Sequence, residues 1–216
     1  MIRRSFLAFS LALLAACGGT PDPLPPTPEP IGDFRMGFNI VVANDITKGP
    51  ASRDATEEEL TTALRAAMEE RLGRYDGDGL YHIGLRIEAY SLGRAGVPLL
   101  FSPKSVFLVA FNIWDDATQE KLNEDPIRIN AFDTPGGPFV GSGLVKTREE
   151  QIAALAYDAA RGVEELLAEN SDLWFGPKDG RERIEFTRDP LTGRQLIQPG
   201  EDGAEDSATA PDPTAN

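Results

Sequence analysis

The chain has 216 residues, with 21 lysines and arginines against 35 aspartates and glutamates, a formal charge of −14, one cysteine and one histidine. One thiol excludes an intramolecular disulfide, and one thiol with one imidazole cannot build a Cys/His zinc or iron–sulfur site, so no metal or cofactor is expected, with all-carboxylate ligation left open. The acidic balance argues against nucleic acid as a partner, because phosphate binding needs clustered lysine and arginine.

Residues 1–16 place Arg3 and Arg4 before an apolar run from Phe6 to Leu14 and end on Ala15 and Ala16. That layout is a secretory signal peptide, and the run is shorter than the roughly 20 residues a membrane span needs. Leu14-Ala15-Ala16-Cys17 resembles the lipobox of bacterial lipoproteins. The resemblance implies cleavage between Ala16 and Cys17, a diacylglycerol thioether on the Cys17 sulfur and acylation of the new amine. It makes the membrane, held through acyl chains, the first expected partner. A single chain binds marginally, at about 0.8 kcal/mol per buried CH₂, whereas two or three chains anchor firmly. In such lipoproteins an Asp after the Cys favours the inner membrane; here Gly18 leans toward the outer one.

Residues 17–33 hold prolines at 21, 23, 25, 26, 28 and 30, which bars a helix or central strand. An extended tether is expected, and at roughly 3.1 Å per residue Gly18 to Pro30 would reach about 40 Å from the bilayer. A folded domain is expected over 34–175. In it, 36–43 reads as a strand. Thr56 with Glu59 forms a capping box ahead of Leu60, Ala63, Leu64, Ala67, Met68 and Leu72, predicting a helix over 56–74. Asp76-Gly77-Asp78-Gly79 is a turn.

Tyr81, Ile83, Leu85, Ile87 and Ala89 alternate with polar neighbours, the pattern of a half-buried strand. Residues 105–114 are apolar on both faces, which predicts a central strand covered on both sides or nearly so. A fourth strand follows with Ile127, Ile129 and Ala131. A second capping box, Thr147 with Glu150, opens a helix over 148–169. The order β-α-β-β-β-α predicts an α+β fold: a mainly antiparallel sheet of about four strands with both helices on one face. Residues 176–198 are read as an extension with a hairpin around Asp189–Gly193, and 199–216, acidic and without large apolar side chains, as a disordered tail.

No residue is assigned a catalytic role. His82 falls on the polar face of its strand, where a solvated imidazole is expected. Gly141-Ser142-Gly143-Leu144 lacks the pattern of a nucleophile elbow, and Leu144 and Val145 separate the glycines from Lys146-Thr147, which spoils a phosphate loop. Asp76 and Asp78 lack the acidic twelfth ligand of a calcium loop, and Asp115-Asp116 reads as a turn. Val97, Leu99, Leu100 and Phe101, apolar residues on an irregular connection, either fold back on the core or form a partner contact.

With its lipobox and the strand order from 36 to 169, including Phe107–Asp116 (FLVAFNIWDD), the chain resembles small envelope lipoproteins of Gram-negative bacteria. Some of these are auxiliary components of ABC-type lipid transport systems and many are of unknown function. A strong anchor and tether on a domain without a catalytic constellation point to a lipid-anchored protein facing the periplasm that serves as a non-enzymatic accessory, scaffold or binding domain, contacting envelope proteins or lipids through the Val97–Phe101 loop or a sheet edge. The alternatives are a carboxylate-dependent envelope hydrolase, which needs two acids about 5 to 9.5 Å apart in a cleft, and a small-molecule or lipid carrier, which needs an enclosed apolar pocket.

Overall fold

Each long helix starts where its Thr-x-x-Glu pair places it. The computed structural model describes residues 23–94, 105–133, 146–176, 187–188 and 195–196, and in it α1 spans Glu57–Leu72 and α2 spans Arg148–Glu169. At both N-termini the threonine oxygen accepts from the N3 amide and the N3 glutamate accepts from the threonine amide. Four otherwise orphaned donors are thereby satisfied. Among the described residues no helix is long and apolar enough to cross a membrane.

The strands are β1 (Arg35–Val42), β2 (Thr47–Lys48), β3 (Leu80–Ser91), β4 (Ser105–Asp115) and β5 (Ile127–Asp133). They form one five-stranded sheet in the order β1-β3-β4-β5, with β2 also on β3. The α+β class and the element order agree with expectation. The β3–β4 and β4–β5 pairs are antiparallel, but β1 and β2 run parallel to β3, so the sheet is mixed. The cause is α1: a helical crossover returns the chain to the end of the sheet from which it left, so the next strand runs parallel to the first. Two residues of β2 escaped the sequence reading because they are too short to show a period.

Both helices pack on the same face, α1 against β1 and α2 against β5 and β4. Leu60, Leu64, Met68 and Leu72 of α1 and Leu155, Ala159, Val163 and Leu167 of α2 close over Ile83, Leu85, Ile87, Val109, Phe111 and Ile113. Each large side chain buried this way contributes about 1.5–3 kcal/mol. A register shift between Ile87 and Ala89 changes the alternation expected for β3. Tyr90, not Ala89, turns inward as a result, and its hydroxyl bonds the Ala55 backbone at the entry to α1.

A short helix, α3 (Ser171–Trp174), brings Trp174 and Phe175 under the sheet. Phe34, Tyr81 and Phe175 meet there with ring centroids 4.7–5.6 Å apart, the Tyr81 hydroxyl donates to the Trp174 carbonyl, and the Asp33 amide donates to the Phe175 carbonyl. The two ends of the domain are fastened to one another by this aromatic plug. The chain divides into two units at Arg183/Ile184. In the second, β6 (Thr187–Arg188) pairs antiparallel with β7 (Gln195–Leu196).

Candidate functional site

Strand pleating sends alternate side chains to opposite faces, so a sheet with helices on one side leaves the other bare unless something covers it. Among the described residues no element covers the face away from the helices, and this bare face carries Phe38, Ile40 and Val42 from β1, Val106, Leu108 and Trp114 from β4, and Phe132 from β5. Ile40 is 56% exposed, Phe132 48% and Val42 38%. Strand β4 was expected to be covered on both sides or nearly so; on the outward face Ala110 is buried, while Val106, Leu108, Asn112 and Trp114 are half-buried beside neighbours on the same face, such as Phe132 opposite Val106. Gly84, opposite Asn112 on β4, makes room for the Trp114 ring, since a Cβ there would stand 2.9 Å from the indole.

Charge crosses the middle of this apolar surface. Glu88 accepts from Arg86 and Arg128 at 2.8 Å each, and the Arg128 hydrogen bond, more than any other effect, holds the Glu88 carboxyl below its ordinary range. An apolar surface with a satisfied polar centre is suited to binding a macromolecular surface.

His82 lies at the end of the same face but is not the solvated imidazole expected. The Phe38 amide donates to Nδ1 at 2.9 Å, which leaves Nε2 as the donor to Asp116 Oδ1 at 2.8 Å. The Phe38 ring packs on the imidazole with centroids 4.7 Å apart. Both nitrogens are engaged, and the bond from Phe38 lies at the irregularity in β1 between Met36 and Asn39. Asp115 closes its turn by accepting from the Ala117 amide. Asp76 and Asp78 lie on a turn that Asp33 Oδ1 ties down by accepting from the Asp78 and Gly79 amides. Among the described residues no group of three or more His, Cys, Asp or Glu is placed to hold a metal ion.

On the helical side, a groove of about 640 Å³ runs along α2 and the segment Pro23–Glu29. Four of its acids, Asp133, Asp158, Glu164 and Glu165, are engaged in ion pairs. Glu164, 4% exposed, accepts from Arg71 at 2.5 Å, Arg74 at 3.2 Å and the Tyr75 hydroxyl at 2.8 Å. Burial, and then the bond to Glu164, push the Tyr75 hydroxyl well above its usual range. Asp158 and Glu165 both pair with Arg161, and Asp133 pairs with Lys146. This cluster was not foreseen from the sequence; the one local signal is a glutamate interrupting the apolar stripe of α2.

Ala16 and Cys17 lie outside the described residues, as do Val97, Leu99, Leu100 and Phe101 and the glycine-rich 134–145 connection. The base of the Val97–Phe101 connection is described. The Gly93 amide donates to Ser105 Oγ at 3.0 Å, Gln151 donates to the Gly93 carbonyl, and Arg94 donates to the Ser52 carbonyl.

No family model and no curated protein matches the chain. Among solved structures it is similar to a candidate lipoprotein from Caulobacter crescentus CB15, at 14% identity over 60% of this chain and 92% of that one, with a TM-score of 0.37. A minor lipoprotein from Acinetobacter baumannii matches at 16% identity over 58% and 92%, TM-score 0.32. A Xanthomonas campestris protein of the family DUF330 matches at 11% identity over 71% and 89%, TM-score 0.31. Two of these are named as lipoproteins, the class that Leu14–Cys17 resembles. With TM-scores this low, what the chain does rests on its own residues.

Proposed function

We propose that the protein is a lipid-anchored lipoprotein of the bacterial cell envelope, facing the periplasm, whose domain binds and positions an envelope partner. One observation carries the reading: the chain's single cysteine falls directly after Leu14-Ala15-Ala16, behind an arginine pair and an apolar run, and a proline-rich segment follows it. A thiolate is the nucleophile that thioether formation requires, and no other residue of the chain supplies one. Gly18 favours the outer membrane. The bare sheet face supports a binding role, as does the engagement of the groove's Asp133, Asp158, Glu164 and Glu165 in ion pairs, since none of these four is left for acid–base work.

The test is metabolic labelling with an acyl chain. The parent protein incorporates label and fractionates with membranes, and Cys17→Ser does neither as a processed species; undiminished incorporation in Cys17→Ser overturns the reading. For the partner, Phe101→Asp is expected to fold normally and to lose a co-purifying envelope protein. Retention of every such protein removes Val97, Leu99, Leu100 and Phe101 from the contact.

A further inference from the structure

Six prolines before the domain suggest a free spacer, yet the described part of that segment lies on the protein. The Pro25 carbonyl accepts from Arg74 Nη1 at 2.7 Å. The same guanidinium donates through Nε to the Arg71 carbonyl, which closes the C-terminal end of α1, and through Nη2 to buried Glu164. Pro23, Pro25 and Glu29 form one wall of the groove along α2, Leu24 and Pro28 are half-buried, and Ile31 is buried in the core. Glu29 is close enough to Tyr75 to raise its proton affinity further. One arginine thus joins the proline segment, a helix end and a buried carboxylate.

We infer that residues Pro23–Ile31 are a strap fixed on α1 and α2 by Arg74, and that a lipid on Cys17 therefore holds the C-terminal end of α1 against the bilayer surface. This rests on the lipoprotein reading. From Cys17 to Pro23 the chain can extend no more than about 20 Å, half of what a free segment to Pro30 would allow. The N-terminus of α1, about 22 Å away along the helix axis, points away from the lipid. The membrane-proximal surface is consequently the end carrying the strap and Arg74, while the two capping boxes stand at the distal end.

The acylated sulfur of Cys17 cannot be labelled, so single new cysteines report position. Full-length lipidated protein carrying Glu70→Cys or Glu58→Cys, both exposed on α1, is labelled with a donor fluorophore and reconstituted into phosphatidylethanolamine/phosphatidylglycerol vesicles with a headgroup acceptor. Transfer is expected to be higher from position 70 than from position 58, and Arg74→Ala is expected to narrow the difference, because the chain then swings from Ile31 and Asp33 rather than from Pro23. Equal transfer in the parent, or a difference that Arg74→Ala leaves unchanged, overturns the inference. A spin label at Thr27→Cys in the Cys17→Ser background tests the strap with no acyl chain present. Its spectrum is expected to be immobilised and to sharpen with Arg74→Ala or Arg74→Lys, because lysine keeps the charge near Glu164 but has no fork to hold three acceptors. A spectrum already sharp in the parent removes the strap even where labelling shows that Cys17 is acylated.

Discussion

Glu164 sits on the apolar stripe of α2, where a carboxylate is tolerated only because three donors meet it. Removing one member of a buried ion pair leaves an uncompensated charge, which costs about 3–5 kcal/mol. Glu164→Ala, leaving Arg71 only 4% exposed and without its carboxylate, is expected to lower stability by about that much in urea unfolding. A loss below 1 kcal/mol would mean that water reaches Arg71 freely. A glutamate interrupting the apolar stripe of α2 is visible in the sequence, but its partner is not, because Arg71 and Glu164 are separated by 93 residues and only the parallel packing of α1 and α2 joins them. His82 shows the same limit. Its strand position is readable, but the Phe38 amide that engages Nδ1 comes from an irregularity in another strand.

At the scale of elements, rules that act within four residues decided the outcome, and these were legible. Both capping boxes and both helix starts follow from Thr56-x-x-Glu59 and Thr147-x-x-Glu150, and the apolar spacing picked the buried faces. Thr147→Ala is expected to cost about 1 kcal/mol, measured as a shift of the urea midpoint at constant slope. The N-termini of α1 and α2 are also joined by Arg148, which grips Glu59 through two hydrogen bonds. That bond, followed by those from Thr56, lowers the Glu59 carboxyl to about 2. A folded-state value below the ordinary 4.5 means that the unfolded chain binds the extra proton, so this contribution is whole above pH 4.5 and fades as pH falls toward 2. Glu59→Gln is expected to flatten the pH dependence of stability over that interval and to leave the slope near neutrality unchanged. What periodicity could not show was strand direction, since a parallel and an antiparallel β1 have the same alternation. Nor could it show the bulge that exchanges Ala89 for Tyr90.

For the whole molecule, the consequence of a one-sided helical layer is a second, solvated face rich in apolar side chains. Because Ile40 and Phe132 already meet water, the double variant Ile40→Asp, Phe132→Asp is expected to change folding stability by no more than about 0.5 kcal/mol per site, while binding of an envelope partner on this face is lost. Undiminished binding would direct attention to the Val97–Phe101 connection. In the proposed lipoprotein, loss of Arg3 and Arg4 with residues 1–16 would take the charge from −14 to −16, so attraction to anionic lipid would add little to what acyl chains provide. The candidate anchor was legible because a lipobox is a contiguous word. The bare sheet face was not, because exposure belongs to the assembled sheet.

The aromatic plug has a temporal consequence. Asp33 and Phe34 stand at the start of the domain and Trp174 and Phe175 at its end, so the contacts that close the core have a large sequence separation and form late. If the chain is exported and lipidated as proposed, Cys17 would meet the lipidating enzymes long before Phe175 has crossed. Acylation would then act on an unfinished polypeptide, and the domain would complete itself already moored.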